Sequence, residues 1–565
     1  MTFNLNNFNI LKGSFYFDIV HLFQRYPFIP ALLITISTHA KGVLEMDKLP
    51  PELLRHILNY TVIAHHDYKN DLLELRTTCK TFDEILKPYA LQTLQLDFTR
   101  LDRRNTSIVP PDNDALHRAA RFCRALYLDM MVVRDDAEVK FLSDIFTHFG
   151  DMEGFVSELR TRYCMNDQSF TEIEYRHQLG HMLECAPDVT ALKLHLPFQL
   201  VSPGQYRAAT IILGNTLEAL VQRPEESETL KTLVLENLSD LSVVSLWRNP
   251  QDVRNIISVF SNLRRLFLSV RRSDESYLHT INFRKSLWEM IGKAEKLDSL
   301  CLVDLDVDER PEQNIKTSLQ QNLSHEDWRS KALPPPLKQF RAILPNLTFL
   351  ELRQLEIMAC DLVCMFESFT NLKELHMDGV FLKTVYNSES PNANNTLWIG
   401  LPNVPPPADH LWIATHMRKI RAQLRVCLVS NLGYDQYMMG EPPENELTYD
   451  LEDPSGLSRS LDLRFVEVAM GIKQPAAPDG TPITYLPDEG SEGLAHDEDY
   501  NANYHLTTQQ DPTSAWHQSI DGHFKNRNRF TIETLHTFAE NACKGMRLLN
   551  AMRERQQLRQ NDSDI

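Results

Sequence analysis

The chain has 565 residues, 58 Lys and Arg against 76 Asp and Glu, a net charge of −18, and 42% hydrophobic and 24% charged residues. Its length exceeds one ordinary domain, and its composition excludes wholesale disorder, a collagen-like chain and a polytopic membrane protein. The acidic excess argues against a nucleic-acid partner, which needs cationic patches. Residues 28–36, FIPALLITI, form the first apolar run, interrupted by Pro30. The run is too short to span a bilayer, which takes about 20 apolar residues. It also starts too late, after too little positive charge, for a signal peptide. Residues 1–45 are expected to be an N-terminal extension, packed or disordered, outside the functional fold and dispensable for folding.

The first motif with a helix start and an apolar stripe begins at Leu49. Pro50 and Pro51 suit the entry and first turn of a helix, and Glu52 favours its positive end. Leu53, Leu54, Ile57 and Leu58 follow as one stripe. A turn over residues 59–70, holding His65 and His66, leads to a second helical stretch over 71–82. Its stripe is Leu72, Leu75, Cys79 and Phe82, spaced 3, 4, 3. A short third piece, 83–86, is expected to stop at Pro88.

These residues resemble the F-box family, whose pattern is Leu-Pro-x-Glu-Leu-Leu-x-x-Ile-Leu, a turn, then Asp-Leu-Leu-x-Leu-x-x-x-Cys-Lys-x-Phe. The first part matches residues 49–58 and the second 71–82. The resemblance covers residues 46–90, and the turn between its two parts is several residues longer than is usual in the family.

A short strand signature, apolar-x-x-Leu-x-Leu, then recurs. It starts at Leu91, Cys123, Val189, Leu230, Leu263, Leu297 and Leu347, and with a closing Met377 at Leu372. The start-to-start spacings are 32, 66, 41, 33, 34, 50 and 25. Because 66 is twice 33, a divergent unit is expected between residues 150 and 180. Helical patterns lie between strands, as at 252–260 and 286–296, and Pro-Asn-Leu (345–347) and Thr-Asn-Leu (370–372) lead into two of them. Alternate side chains of a strand point to opposite faces, so each unit offers two leucines to a core that only stacking can close. This is the pattern of a degenerate leucine-rich-repeat array over 91–385, longer in period than usual and without an Asn after most strands. The expected fold class is α/β: a short N-terminal helical module that resembles the F-box, then an irregular leucine-rich-repeat solenoid of strand–helix units.

Residues 386–470 read as an irregular continuation, with prolines from 402 to 407, a helix over 408–421, and strands at 424–429 and 461–468. Residues 441–500 carry 15 Asp or Glu against Arg459, Arg464 and Lys473. The segment 471–528 is acidic and Pro-containing, and 474–510 is expected to be a flexible loop cut first by protease. Residues 529–565 close the chain with an amphipathic helix whose stripe includes Ile532, Leu535, Phe538, Ala542, Met546, Leu549 and Met552.

Chemistry-bearing motifs are scarce. The nine cysteines are odd in number, scattered and free of Cys-x-x-Cys, as in a reducing compartment with thiols serving as small core residues. No zinc-ligand spacing stands out. Asp304, Asp306 and Asp308 begin like a calcium loop, but Glu309 stands where Gly is needed and Ile315 where Glu is needed. Adjacent His65 and His66 cannot share one metal from a helix, and the acidic run 497–499 reads as a solvated cluster. No catalytic residue, metal or cofactor is assigned.

The resemblance implies a non-catalytic substrate-recognition subunit of a Skp-adaptor/cullin/F-box-type ubiquitin ligase, cytoplasmic or nuclear. Its partners would be a Skp-type adaptor, through it a cullin, and a substrate protein held by the repeats. By matching positions, Leu49, Pro50, Leu53, Leu54, Ile57, Leu58, Leu72, Leu75, Cys79 and Phe82 divide between the module's core and the adaptor surface. The competing reading is an interaction scaffold whose F-box-like helices cap the solenoid.

Overall fold

The structure, a computed structural model, describes residues 50–64, 69–97, 113–130, 172–196, 207–271, 277–304, 332–333, 344–387, 397–398, 411–412, 424–430, 432–439 and 465–466. The chain divides into two compact units, Met1–Leu91 and Gln92–Ile565.

The first unit holds three helices, α1 (Pro51–Ala64), α2 (Lys69–Arg76) and α3 (Lys80–Ala90). Leu54, Leu58, Leu72, Phe82, Leu86 and Ala90 form its core, with Val62, Leu73, Leu75 and Ile85 packed against it. Three sequence expectations are corrected here. First, α1 continues past Leu58 to Ala64, and α2 begins at Lys69, so most of the expected 59–70 turn is helical. The His65–His66 pair lies outside the described residues.

Second, the helix expected over 71–82 is two helices. The Thr77 and Thr78 amides donate to the Glu74 and Leu75 carbonyls three residues back, and the Thr77 hydroxyl donates to the Glu74 carbonyl at 2.7 Å. β-Branched residues that can bond the preceding backbone favour such an ending. Cys79 becomes the exposed N-cap of α3 instead of a stripe residue. Third, α3 does not stop at Pro88 but runs to Ala90 with Pro88 inside its last turn. Arg76 Nε lies 3.1 Å from the Asp83 carboxylate, tying the end of α2 to the first turn of α3.

The second unit is mixed α/β. Its strands are β1 (Thr93–Asp97), β2 (Ala125–Asp129), β3 (Ala191–His195), β4 (Thr232–Ser239), β5 (Arg265–Arg271), β6 (Ser299–Asp304) and β7 (Phe349–Arg353). They continue with β8 (Glu356–Met358), β9 (Glu374–Asp378), β10 (Phe381–Asn387), β11 (Leu397–Trp398), β12 (Leu411–Trp412), β13 (Val426–Ser430) and β14 (Gly433–Met439). Between them lie α4 (Asn113–Ala120), α5 (Glu172–Cys185), α6 (Arg207–Val221), α7 (Asp240–Leu246), α8 (Pro250–Phe260), α9 (Tyr277–Gly292) and α10 (Ala359–Ser368). All eight signatures are strands. With β13 they form a parallel sheet in the order β1-β2-β3-β4-β5-β6-β7-β9-β13, neighbours following chain order with β8, β10 to β12 and β14 left out.

Register aligns the signature leucines into rows. Leu94, Leu126, Leu192, Leu233, Leu266, Leu300, Leu350 and Leu375 pair strand to strand, and Cys427 closes the row. Two residues on, Leu96, Leu128, Leu194, Leu235, Leu268, Leu302, Leu352, Met377 and Val429 do the same. From Leu126 onward these residues are buried in one continuous core, which Leu94 and Leu96 flank. Cys427 fills a leucine's place, and burial pushes its thiol up to about 12.

The expected extra unit between 150 and 180 is corrected. β2 and β3 pair directly along their full length, and residues 172–185 are helix α5. The long spacing at this point is an insertion between neighbouring strands.

Helices between the strands start on local signals. Asn249 caps α8, its side chain accepting from the Gln251 amide, and Pro250 occupies the first turn. Ser239 caps α7 in the same way. The Asn of the strand-approach turns ties units together. Asn346 Nδ2 donates to the Glu295 carbonyl, Asn371 Nδ2 to the Pro345 carbonyl, and Asn262 Oδ1 accepts from Lys296 Nζ.

Past β7 the chain turns a corner in each unit and starts a second parallel sheet, ordered β14-β10-β8. Gln354 (φ 47°) and Gly379 (φ 64°) hold equivalent corner positions, four residues beyond the first strand leucine, and Asn237 (φ 61°) holds the same place within β4, at the register shift between Leu235 and Leu238. Gly379→Ala is expected to lower stability by about 1–2 kcal/mol, the cost of a left-handed non-glycine backbone, measured by denaturant unfolding. Nothing crowds the site closer than 3.5 Å, so the loss comes from backbone strain alone.

Two further expectations are corrected in the C-terminal part. Leu411 and Trp412, expected in a helix, form β12 and pair with Leu397 and Trp398 of β11. Aromatic and β-sheet-compatible side chains in matched positions favour that pairing. Phe465 and Val466, expected in a strand, are helical and buried in the main core. The N-terminal extension, the acidic segment 471–528 and the C-terminal helix over 529–565 lie outside the described residues.

Candidate functional site

In the first unit, the stripe residues separate by burial. Leu54, Leu58, Leu72 and Phe82 are core. Leu75 is half-buried against that core. Leu53 and Ile57 are half-buried on α1, while Pro50 and Cys79 are exposed. Leu49 lies outside the described residues. Tyr60, 48% exposed, extends the Leu53–Ile57 line at helical spacing, and Tyr89 on α3 is 43% exposed. Both tyrosines are absent from the sequence-predicted set. The signal for Tyr60 is the 4, 3 spacing from Leu53 through Ile57, which shows only once α1 runs past Leu58 to Ala64. The unit therefore presents an aliphatic–aromatic line on α1 beyond its own core.

In the second unit, the residues between the two leucine rows form the opposite face of the large sheet. In register they are Gln95, Tyr127, Lys193, Val234, Phe267, Cys301, Glu351, His376 and Leu428. The centre is apolar, a cluster of Val234, Phe267, Cys301 and Phe349 with Val303 beside it. Charges flank it. On one side Lys193 Nζ lies 2.8 Å from Glu236, which also approaches His195 Nδ1 at 3.5 Å. On the other, Arg353 lies 3.2 Å from Asp378 and 3.8 Å from Glu351, and the His376 ring stacks at 4.7 Å on Phe349. Among the described residues of this face, Lys193 and Arg353 each lie against a carboxylate.

A third feature sits on the helices. His117 of α4 and His181 and Cys185 of α5 converge, their ligand atoms all within 4.8 Å of one another. Cys185 Sγ is 3.5 Å from His117 Nε2 and 3.9 Å from His181 Nε2. Burial, and then the neighbouring Glu184 carboxylate, raise the Cys185 thiol above its ordinary value. Sequence reasoning assigned no metal ligands and missed this trio. The local signal was His181 and Cys185 at i, i+4, one helical turn apart; His117 had no signal linking it to them. Alongside, α5 and α6 enclose an open cleft of about 710 Å³ lined by Arg176, His177, His181, Glu184, Asn215 and Arg223, among others.

Among the described residues no helix is long and apolar enough to cross a membrane. No protein-family model and no curated protein matches the sequence.

Proposed function

We propose that the protein is the substrate-recognition subunit of a Skp-adaptor/cullin/F-box-type ubiquitin ligase. The helical unit docks on the adaptor, and the sheet unit, a degenerate leucine-rich-repeat solenoid, binds the substrate protein. The observation that carries this reading is the line of Leu53, Ile57 and Tyr60, apolar and partly exposed on a helical unit that already has a closed core. An apolar patch on so small a module calls for a covering partner. Leu53 and Ile57 belong to the sequence motif that resembles the F-box, and Tyr60 lies two residues beyond its first part.

The solenoid reading is supported by strands that pair in chain order and by leucine rows running through them in register. In this reading the chain carries no catalytic group, and ubiquitin transfer belongs to other subunits. The protein acts by proximity, raising the effective concentration of substrate near the loaded enzyme, in the cytoplasm or nucleus.

The test is co-purification. The full-length tagged chain, co-expressed with a Skp-type adaptor and a cullin, is expected to retain both in stoichiometric amount. If the wild-type chain retains no adaptor, the ligase reading fails, and the helices serve as a scaffold's terminal module.

A further inference from the structure

We propose that His117, His181 and Cys185 form a binding site for one zinc-class transition-metal ion, clipping α4 to α5. Zinc bonds of about 2.3 Å to sulfur and 2.0–2.1 Å to nitrogen give tetrahedral ligand–ligand edges of about 3.4–3.6 Å. The Cys185–His117 edge is already 3.5 Å, and the Cys185–His181 edge, at 3.9 Å, closes with a small rotation of one ring. Both imidazoles turn the same nitrogen, Nε2, toward the sulfur. The rings meet edge to face, 82° apart, so their nitrogens converge without the rings stacking.

The surroundings also suit a metal. Glu184 Oε2 lies 4.0 Å from His181 Nδ1, on the far side of the ring from the sulfur. A carboxylate hydrogen-bonded to a ligating imidazole orients it and makes it a better donor; the exposed Glu184 side chain would reach that bond by a movement of about 1 Å. Two nitrogens and a thiolate select a borderline or soft ion over calcium or magnesium, which take oxygen. Coordination replaces the thiol proton: the metal–sulfur bond forms as the S–H bond breaks, and the proton leaves to solvent. His181 also lines the 710 Å³ cleft, so one edge of the trio borders an opening from which an ion and a water as fourth ligand would enter. A nucleophilic cysteine is a poorer reading, because Cys185 is buried and its sulfur meets two imidazoles, where a catalytic thiol needs one base and open access.

The consequence is a cross-link. Cys185 and His117 stand 68 residues apart in the chain, and the segment between them contains the insertion separating β2 from α5. Joining its two ends through a metal would hold the helices that precede β2 and β3 in a fixed relation.

The metal-stripped full-length protein would be titrated with Co²⁺ and with Zn²⁺ against a chromogenic chelator. The wild type is expected to show the near-ultraviolet sulfur-to-cobalt band with the intense visible bands of tetrahedral cobalt, and to melt at a higher temperature with zinc. Cys185→Ser should lose the band, one equivalent of zinc and the zinc-dependent rise in melting temperature. His117→Gln and His181→Gln should each weaken zinc about tenfold or more. His56→Gln, at an exposed position on α1 of the other unit, should bind like the wild type, and far-ultraviolet circular dichroism should match across all variants. A wild type without the cobalt–thiolate band overturns the site. So does a band that survives Cys185→Ser. Neither result bears on adaptor binding.

Discussion

Replacing Leu300 with Asp is expected to abolish folding of the sheet unit, while Leu278→Asp, on the exposed surface of α9, should change stability by less than about 0.5 kcal/mol. Leu300 pairs in register with Leu266 on one side and Leu350 on the other, and all three are fully buried. A carboxylate at that point meets only aliphatic neighbours in the leucine row. Even a neutral polar group left without a partner there costs several kcal/mol, and the charged form far more. A domain's whole stability is about 5–15 kcal/mol. The milder Leu300→Ala should cost about 2–5 kcal/mol, lost transfer energy plus the cavity. Leu278 is 74% exposed, so its Asp variant controls for the added charge. Far-ultraviolet circular dichroism and urea unfolding separate the three outcomes. If Leu300→Asp unfolded at the wild-type midpoint, the continuous leucine row would not be the core of this unit.

The second large effect concerns the helical unit. If the helical unit docks on an adaptor as proposed, Leu53→Glu combined with Ile57→Glu is expected to weaken adaptor retention about a hundredfold, since two interface anchors at about 1–3 kcal/mol each would be lost and charge placed on an apolar contact. The unit itself should keep its fold, because its core of Leu54, Leu58, Leu72, Phe82, Leu86 and Ala90 does not include either position. Leu58→Ala is the contrast: that side chain is 1% exposed, so the variant should lose about 2–5 kcal/mol of stability and affect the adaptor only through unfolding. Exchanging Leu49 and Pro50 for Ala should cost about tenfold in adaptor binding. Measured by titration of purified adaptor with circular dichroism as control, full binding by the Leu53/Ile57 variant would remove α1 from the docking surface.

The periodic parts of this protein were legible in its residues. Each Leu-x-Leu signature is a strand because the two-residue alternation is a local property: the leucines share one face whatever the strand pairs with. The helix start at Pro51 was legible for the same reason, since proline acts within one turn, whereas the helix expected over 252–260 begins two residues earlier, at Pro250 behind its Asn249 cap. Where the local signal was ambiguous, the reading failed. Thr77 and Thr78 sit inside an uninterrupted apolar spacing, yet their backbone contacts to Glu74 and Leu75 end α2 and bring Cys79 to the surface.

What remained was decided by contacts between residues distant in the chain. Equal spacing of repeats predicted an extra unit before Val189, but spacing along the chain does not determine which strands pair, and β2 bonds directly to β3. The second sheet escaped notice because β8 is only three residues long and is held as a strand by β10, not by its own pattern. The candidate site divides in the same way. The apolar line on α1 and the His181–Cys185 turn of α5 were present in the sequence as helical spacings, whereas His117 reaches that turn only because α4 and α5 pack together. Local periodicity determined the strands, the helices and the faces they offer; packing across tens of residues decided which strands are neighbours and which three side chains meet at one point.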